Sequence, residues 1–316
     1  MIFFTLLIIN LVKGYRLVSI VTKDAIYHSN SVNYIDIVDT FPDTTINFAN
    51  VQQFARMAYD AYSKTDTSDW YTVPGTHVPI DLNSIRGYIF TNGTHNVVSI
   101  KGTSINIRTD RYNDNLFLSC CFYKQSGLFK NTCDIPTDTH VCSKSCYLKS
   151  LDLPLNYLNT IDQIGRNLEK GIDFSKTVFT GHSLGGFLAT YLGIRYNRTT
   201  ITFEAPGTKY YFDKIDLHYH NTTDIYHFGH TADPIFTGRC NLRSSLCYIG
   251  GYVIRTRCHV GKVCTYDSKS KLNAPESLWT HRMKYVINTV IPKWETDFPL
   301  CEAQIDCQDC AQWTFI

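Results

Sequence analysis

Along residues 51–62 the apolar side chains recur at helical spacing, which predicts an amphipathic helix. Two short runs rich in β-branched and aromatic residues follow at 85–90 and 97–100. Asn92-Gly93 between them is a strong hairpin signal. Helical periodicity resumes over 151–170. A compact run, Thr177-Val178-Phe179-Thr180, then predicts a strand, and 187–196 a helix directly after it. Residues 200–204 and 225–228 read as further strands and 283–291 as a helix. Residues 15–45 alternate only loosely and read as strand and loop, 119–150 as an irregular, cysteine-stapled insertion, and the stretch beyond Pro292 as a polar tail. Strands alternating with helices predict an α/β architecture. No internal repeat or low-complexity linker divides the chain, so a single domain is expected.

Between the strand at 177–180 and the helix at 187–196 stands Gly181-His182-Ser183-Leu184-Gly185-Gly186. G-x-S-x-G at a strand-to-helix junction is the sequence form of a nucleophile elbow, in which the serine occupies a sharp, strained turn. The glycines beside Ser183 are expected because side chains there would collide across the turn, and Gly186 because it lets the helix lie close to the strand.

A serine hydroxyl needs a positioned base, and the base needs a carboxylate that fixes its tautomer. With the order Ser, Asp/Glu, His that such elbows carry, the acid is expected on a loop just past a strand. Asp233, in His230-Thr231-Ala232-Asp233-Pro234, fits that place. Asp224 begins the strand, and Asp213 and Asp216 lie in a polar connection. Beyond it the histidines are His259 and His281. His281 immediately precedes the helix at 283–291, so it is the expected base. His259, beside Cys258, is expected to be structural, and His182 to pack or hydrogen-bond locally. The oxyanion donors are expected from the backbone N–H of Leu184 and from Thr103, in the turn that ends the strand at 97–100.

Composition narrows the setting. At 316 residues and 44% hydrophobic, the chain supports one large core, and a net charge of +2 gives no footprint for nucleic acid. Twelve cysteines in clusters point to disulfides and an oxidising compartment. The rival, zinc, rests on Cys307-x-x-Cys310 and Cys142-x3-Cys146, but no second C-x-x-C completes a set, and no metal is expected. The apolar run of residues 1–12 is short against the roughly 20 residues that span a bilayer. Residues 1–14 are expected to be a signal peptide or a short uncleaved anchor. Sequons at Asn92, Asn197 and Asn221 are compatible with a luminal fate.

The chain resembles the class 3 lipases and, within them, the fungal autophagy-related lipases of the vacuole. The resemblance is carried by Ser99-Ile-Lys-Gly-Thr-Ser104, Thr180-Gly-His-Ser-Leu-Gly-Gly186, Phe203-Glu-Ala-Pro-Gly207, His230-Thr-Ala-Asp-Pro-Ile235, Thr256-Arg-Cys-His-Val-Gly-Lys262, Thr280-His281 and the tail Asp306-Cys-Gln-Asp-Cys310. It runs from about Val51 to the C-terminus. It implies an α/β-hydrolase fold with Ser183 as nucleophile, Asp233 as orienting acid, His281 as base and Thr103 as an oxyanion residue. It also implies a lid over 104–118, lipid substrates at a membrane surface, no cofactor, and passage through the endoplasmic reticulum and multivesicular bodies to the vacuole, with secretion as the alternative. The apolar leader is shorter than the anchor such lipases carry.

Together these readings predict a single domain over 15–316, with insertion 119–150 and tail 293–316, acting as a serine lipase or phospholipase. A carboxylesterase of soluble esters and a catalytically silent lipid-binding module are the alternatives.

Overall fold

The computed structural model describes residues 41–63, 69–122, 133, 140–151, 154–219, 224–241 and 246–316. The leader, the loop expectation for 15–40 and the sequon at Asn221 lie outside the described residues.

One mixed sheet runs through the molecule. Its strands are β1 (Thr76–Leu82), β2 (Ile85–Thr91), β3 (Asn96–Ile100), β5 (Thr177–His182), β6 (Thr200–Phe203), β7 (Ile225–His230), β8 (Lys262–Tyr266) and β9 (Cys301–Ala303), side by side in that order. The pairings from β3 through β8 are parallel, while β1, β2 and β9 pair antiparallel at the two ends. A separate two-stranded ribbon pairs β4 (Val141–Cys142) with β10 (Thr314–Phe315).

The central strands β3, β5 and β6 are buried along their whole length, as parallel strands covered on both faces must be. Successive residues serve opposite layers. On one face Val97, Val178, Ile201 and Phe203 join Val51, Phe54 and Met57 of α1 (Phe48–Asp60). On the other, Val98 and Phe179 join a layer that includes α2 (Arg108–Leu118), α4 (Tyr157–Glu169), α5 (Leu184–Tyr196) and α6 (Lys209–Lys214). The remaining helices are α3 (Lys144–Leu151), α7 (Leu246–Ile249), α8 (Ser268–Leu272) and α9 (Met283–Tyr285). This is the α/β-hydrolase arrangement expected from the sequence.

The differences from expectation have local causes. Strand β1 went unread because Pro79 and an alternation of exposed and buried positions mark an edge strand rather than a core one. Helix α3 stands inside the insertion expected to be irregular. Helix α4 starts at Tyr157, not 151, where the Asn156 side chain accepts the Leu158 N–H as a cap. The helix expected over 283–291 is regular only in α9, then widens into a π turn (Val286–Val290) and tightens into a 3-10 turn (Ile291–Glu295) that passes Pro292. Burial explains the extension: Trp294 is 1% exposed and lies 5.4 Å from the Phe228 ring. A large apolar side chain gains about 1.5–3 kcal/mol there.

All twelve cysteines are paired, as Cys120–Cys310, Cys121–Cys142, Cys133–Cys146, Cys240–Cys247, Cys258–Cys307 and Cys264–Cys301. Cys307 and Cys310, spaced like zinc ligands, go to different partners. Two bridges staple the insertion internally, and three tie the C-terminal tail to Cys120, Cys258 and Cys264.

Candidate active site

Strand β5 ends at His182, and α5 begins one residue later. The chain makes that turn only by putting Ser183 at φ 57°, ψ −130°, a conformation that costs a non-glycine residue of order 1–3 kcal/mol. A Cβ on Gly185 would come within 2.1 Å of the Ile100 carbonyl oxygen, and one on Gly181 within 2.5 Å of Gly185. Only glycines permit so close an approach. Ser183 is 6% exposed and its N–H is held by Phe203 O at 3.1 Å. The Leu184 N–H follows at the N-terminus of α5, where free N–H groups favour negative charge.

Asp233 lies just beyond β7, in a turn closed by its own N–H on His230 O at 3.2 Å. Its Oδ1 accepts the Ile235 N–H at 2.7 Å, and Oδ2 accepts His281 Nδ1–H at 2.6 Å. Burial by itself would raise the Asp233 carboxyl. The charge and hydrogen bond of His281, helped by Glu204 and His230, outweigh it and bring the group down to about 2. Asp233 is therefore ionised, and His281 carries its proton on Nδ1. Asp224, Asp213 and Asp216 take no part. Asp224 O accepts from Thr200 N at the foot of β7, and Asp213 pairs with Lys209.

His182 adopts a fixed place beside His281. Its ring lies 4.5 Å from the His281 ring, with Nε2–H donating to the His281 backbone oxygen at 2.9 Å and Nδ1 accepting from Tyr62 Oη at 2.7 Å. Burial, then the neighbouring His281, lowers its basicity to about 3, so it stays neutral. The expected local packing is instead a bridge between distant segments. His259 is 2% exposed, 4.3 Å from the His227 ring and 5.5 Å from Phe236, in the structural place expected for it.

The turn after β3 meets the elbow. A Cβ on Gly102 would stand 3.1 Å from Ser183 Cβ, so Thr103 follows directly after a residue packed against Ser183. The Thr103 hydroxyl donates to Asp114 Oδ2 at 2.7 Å, while burial pushes the Asp114 carboxyl up to about 8. Lys101, 4% exposed, reaches Gly102 O at 2.6 Å and Asp110 Oδ2 at 3.3 Å, and the same Asp110 oxygen accepts the Ser104 N–H at 2.7 Å. A buried ion pair thus fixes the shape of the turn.

The lid expected over 104–118 is not what the fold places there. Leu116, Phe117 and Leu118 are fully buried, and Phe117 stacks on Phe187 at 4.8 Å. Asn115 clamps α2 through Gly251 O at 2.8 Å and Val253 N–H at 2.9 Å. Asp110 and Asp114, in the same segment, point at the Thr103 turn. What stays open is the short loop before α2, with Ile105 74% exposed.

Sequence reasoning brought together Ser183, Asp233, His281 and Thr103, and missed Tyr62, Lys101, Asp110, Asp114 and Glu204. The missed residues act across strands and helices, where no local spacing signals a contact. Among the described residues, no group of His, Cys, Asp and Glu gathers in the manner of a metal site.

No family model matches the chain. It is 36% identical over 302 residues to "Putative lipase ATG15" of Passalora fulva, covering 84% of this chain and 44% of that one. The Saccharomyces cerevisiae protein of the same name is 34% identical over 291 residues, covering 84% and 56%. That of Meyerozyma guilliermondii is 32% identical over 320 residues, covering 91% and 56%. The chain spans about half the length of the curated relatives it matches. Among solved structures, M37 lipase is similar with a TM-score of 0.40 and 12% identity, covering 78% of this chain and 93% of that one. A triacylglycerol lipase from Penicillium expansum gives 0.38 and 14%, covering 72% and 82%.

Proposed function

The chain belongs with the relatives named ATG15 along most of its own length, and from that kinship we propose that it is a serine lipase acting on carboxylic esters of membrane or storage lipids. The observation that carries the reading is the 2.6 Å bond between His281 and the ionised Asp233, beside a serine on a strained elbow.

In this reading Ser183 Oγ attacks the ester carbonyl carbon while His281 Nε2 takes its proton. Asp233 holds the imidazolium that forms. The oxyanion meets the Leu184 N–H and Thr103, whose turn the Lys101–Asp110 pair keeps in place. The leaving alkoxide takes the proton from His281. A water, deprotonated by the same base, then frees the acid from Ser183.

Substrates at a membrane surface, passage through the endomembrane lumen, and a role in vacuolar breakdown of autophagic membranes are parts of the same proposal. The six disulfides support an oxidising compartment. Residues 1–14 would serve as the signal or anchor.

One observation favours the second reading, a carboxylesterase of soluble esters: α2 is clamped into the core, so that within 104–118 it is the short loop around Ile105 that stays open. The test follows the rate on a short-chain ester across its solubility limit, alongside phospholipid vesicles of defined composition, with Ser183→Ala as control. A rise at the limit and vesicle hydrolysis support the lipase. Smooth saturation with intact vesicles supports the esterase.

A further inference from the structure

Just past β6, Glu204 stands at φ 47° with its side chain fully buried, and among the described residues no Lys or Arg pairs with it. Its Oε2 accepts the His230 N–H at 3.3 Å, and the His230 ring lies 3.7 Å from Oε1. That ring is neutral. Its Nε2–H is given to the Thr280 carbonyl at 3.1 Å, while Nδ1 faces Ser268 Oγ at 2.8 Å and accepts the Ala232 N–H at 3.2 Å. Burial lowers its basicity further.

The remaining neighbour is Asp233, whose N–H is bonded to the carbonyl of the same His230 at 3.2 Å, and Glu204 Oε1 is buried without a donor. Two buried carboxyl groups held this close together are compatible only when one carries a proton. His281 keeps Asp233 ionised, so the proton belongs to Glu204, whose burial pushes it well above the usual carboxyl range.

We infer that Glu204 is a positioning residue: its carboxylic acid O–H donates to the Asp233 carboxylate and, with the Ile235 N–H, fixes that carboxylate for His281. The titratable groups around it are His230 from β7, Asp233 from the turn after it, Tyr285 from α9, and His281 behind Asp233. Losing the donor concentrates the Asp233 charge on the His281 side, which favours the charged imidazolium and moves the acid limb of kcat/KM to higher pH.

The experiment compares pH profiles of wild type, Glu204→Gln and Glu204→Leu. The glutamine keeps a neutral donor and holds the limb in place. The leucine raises the limb by about half a pH unit or more and lowers kcat about tenfold with KM little changed. Infrared spectra at neutral pH show a protonated-carboxyl band in wild type that Glu204→Gln lacks. Absence of that band in wild type overturns the inference, as does a downward shift in Glu204→Gln, which would mean that an ionised glutamate had been removed. A wild-type profile in Glu204→Leu also overturns it. Should the leucine variant fail to fold, the glutamine profile and the infrared band decide. The inference rests on the proposed triad, and the two fail differently. If the triad is wrong, Ser183→Ala keeps its turnover. If only the role of Glu204 is wrong, Ser183→Ala is inactive while both Glu204 variants behave as wild type.

Discussion

His182 Nε2 is bonded to the backbone carbonyl of His281 at 2.9 Å, so the residue that precedes Ser183 holds the loop that carries His281. The other ring nitrogen is held by Tyr62 at 2.7 Å, which anchors the bridge to the end of α1. The elbow and His281 are thereby fixed to each other without a charge between them.

His182→Ala removes this tether and takes away the hydrogen bond that His182 gives the His281 carbonyl. A buried polar group left alone costs about 1–3 kcal/mol, and part of that cost is expected in catalysis. We predict kcat lowered about tenfold in a protein that still folds. Steady-state kinetics with circular dichroism check it. Unchanged kcat shows that the tether does not matter.

The two histidines separated by sequence order are expected to divide by role. His281→Ala should lose on the order of 10³-fold or more, while His259→Phe should retain turnover. His259 is buried neutral, with its basicity pushed well below the usual value by burial and then by His227; burial likewise lowers His227 to about 4. The unfolded chain binds protons at these sites below the ordinary histidine range near 6.5 while the folded one does not. Stability from this pair is therefore present at neutral pH and lost as pH falls from about 6.5 toward 4. His259→Phe should show a smaller drop in Tm between pH 7.5 and 5 than wild type. An equal drop assigns the pH dependence elsewhere.

Mass spectrometry of the unreduced protein should find no free thiols. Cys120→Ser with Cys310→Ser opens a link across 190 residues of sequence. Loss of such a bridge typically costs about 2–5 kcal/mol. A matching fall in Tm is expected, and an unchanged Tm contradicts a structural role for that bridge.

The sequence made the elbow legible because its signal is local: a strand, two glycines at fixed offsets and a helix. Asp233 and His281 were legible from their places after a strand and before a helix. Thr103 was found by its turn, but the partner of its hydroxyl, Asp114, fell within the segment expected to be a lid. Charge patterning on a helix cannot tell a solvated carboxylate from one turned inward to a buried turn. The same limit hid Glu204, whose contacts join β6 to the turn after β7. Strand β1 was missed because Pro79 and its largely exposed positions mark an edge strand, and the extension past Pro292 because burial of Trp294 overrode weak local propensity.

The most direct measurement of the central claim is covalent labelling by a fluorophosphonate, followed by peptide mapping and by lipid hydrolysis with Ser183→Ala. The account predicts one labelled residue, Ser183, and loss of labelling and of turnover in the variant. Labelling at another residue, or normal hydrolysis by Ser183→Ala, would contradict it.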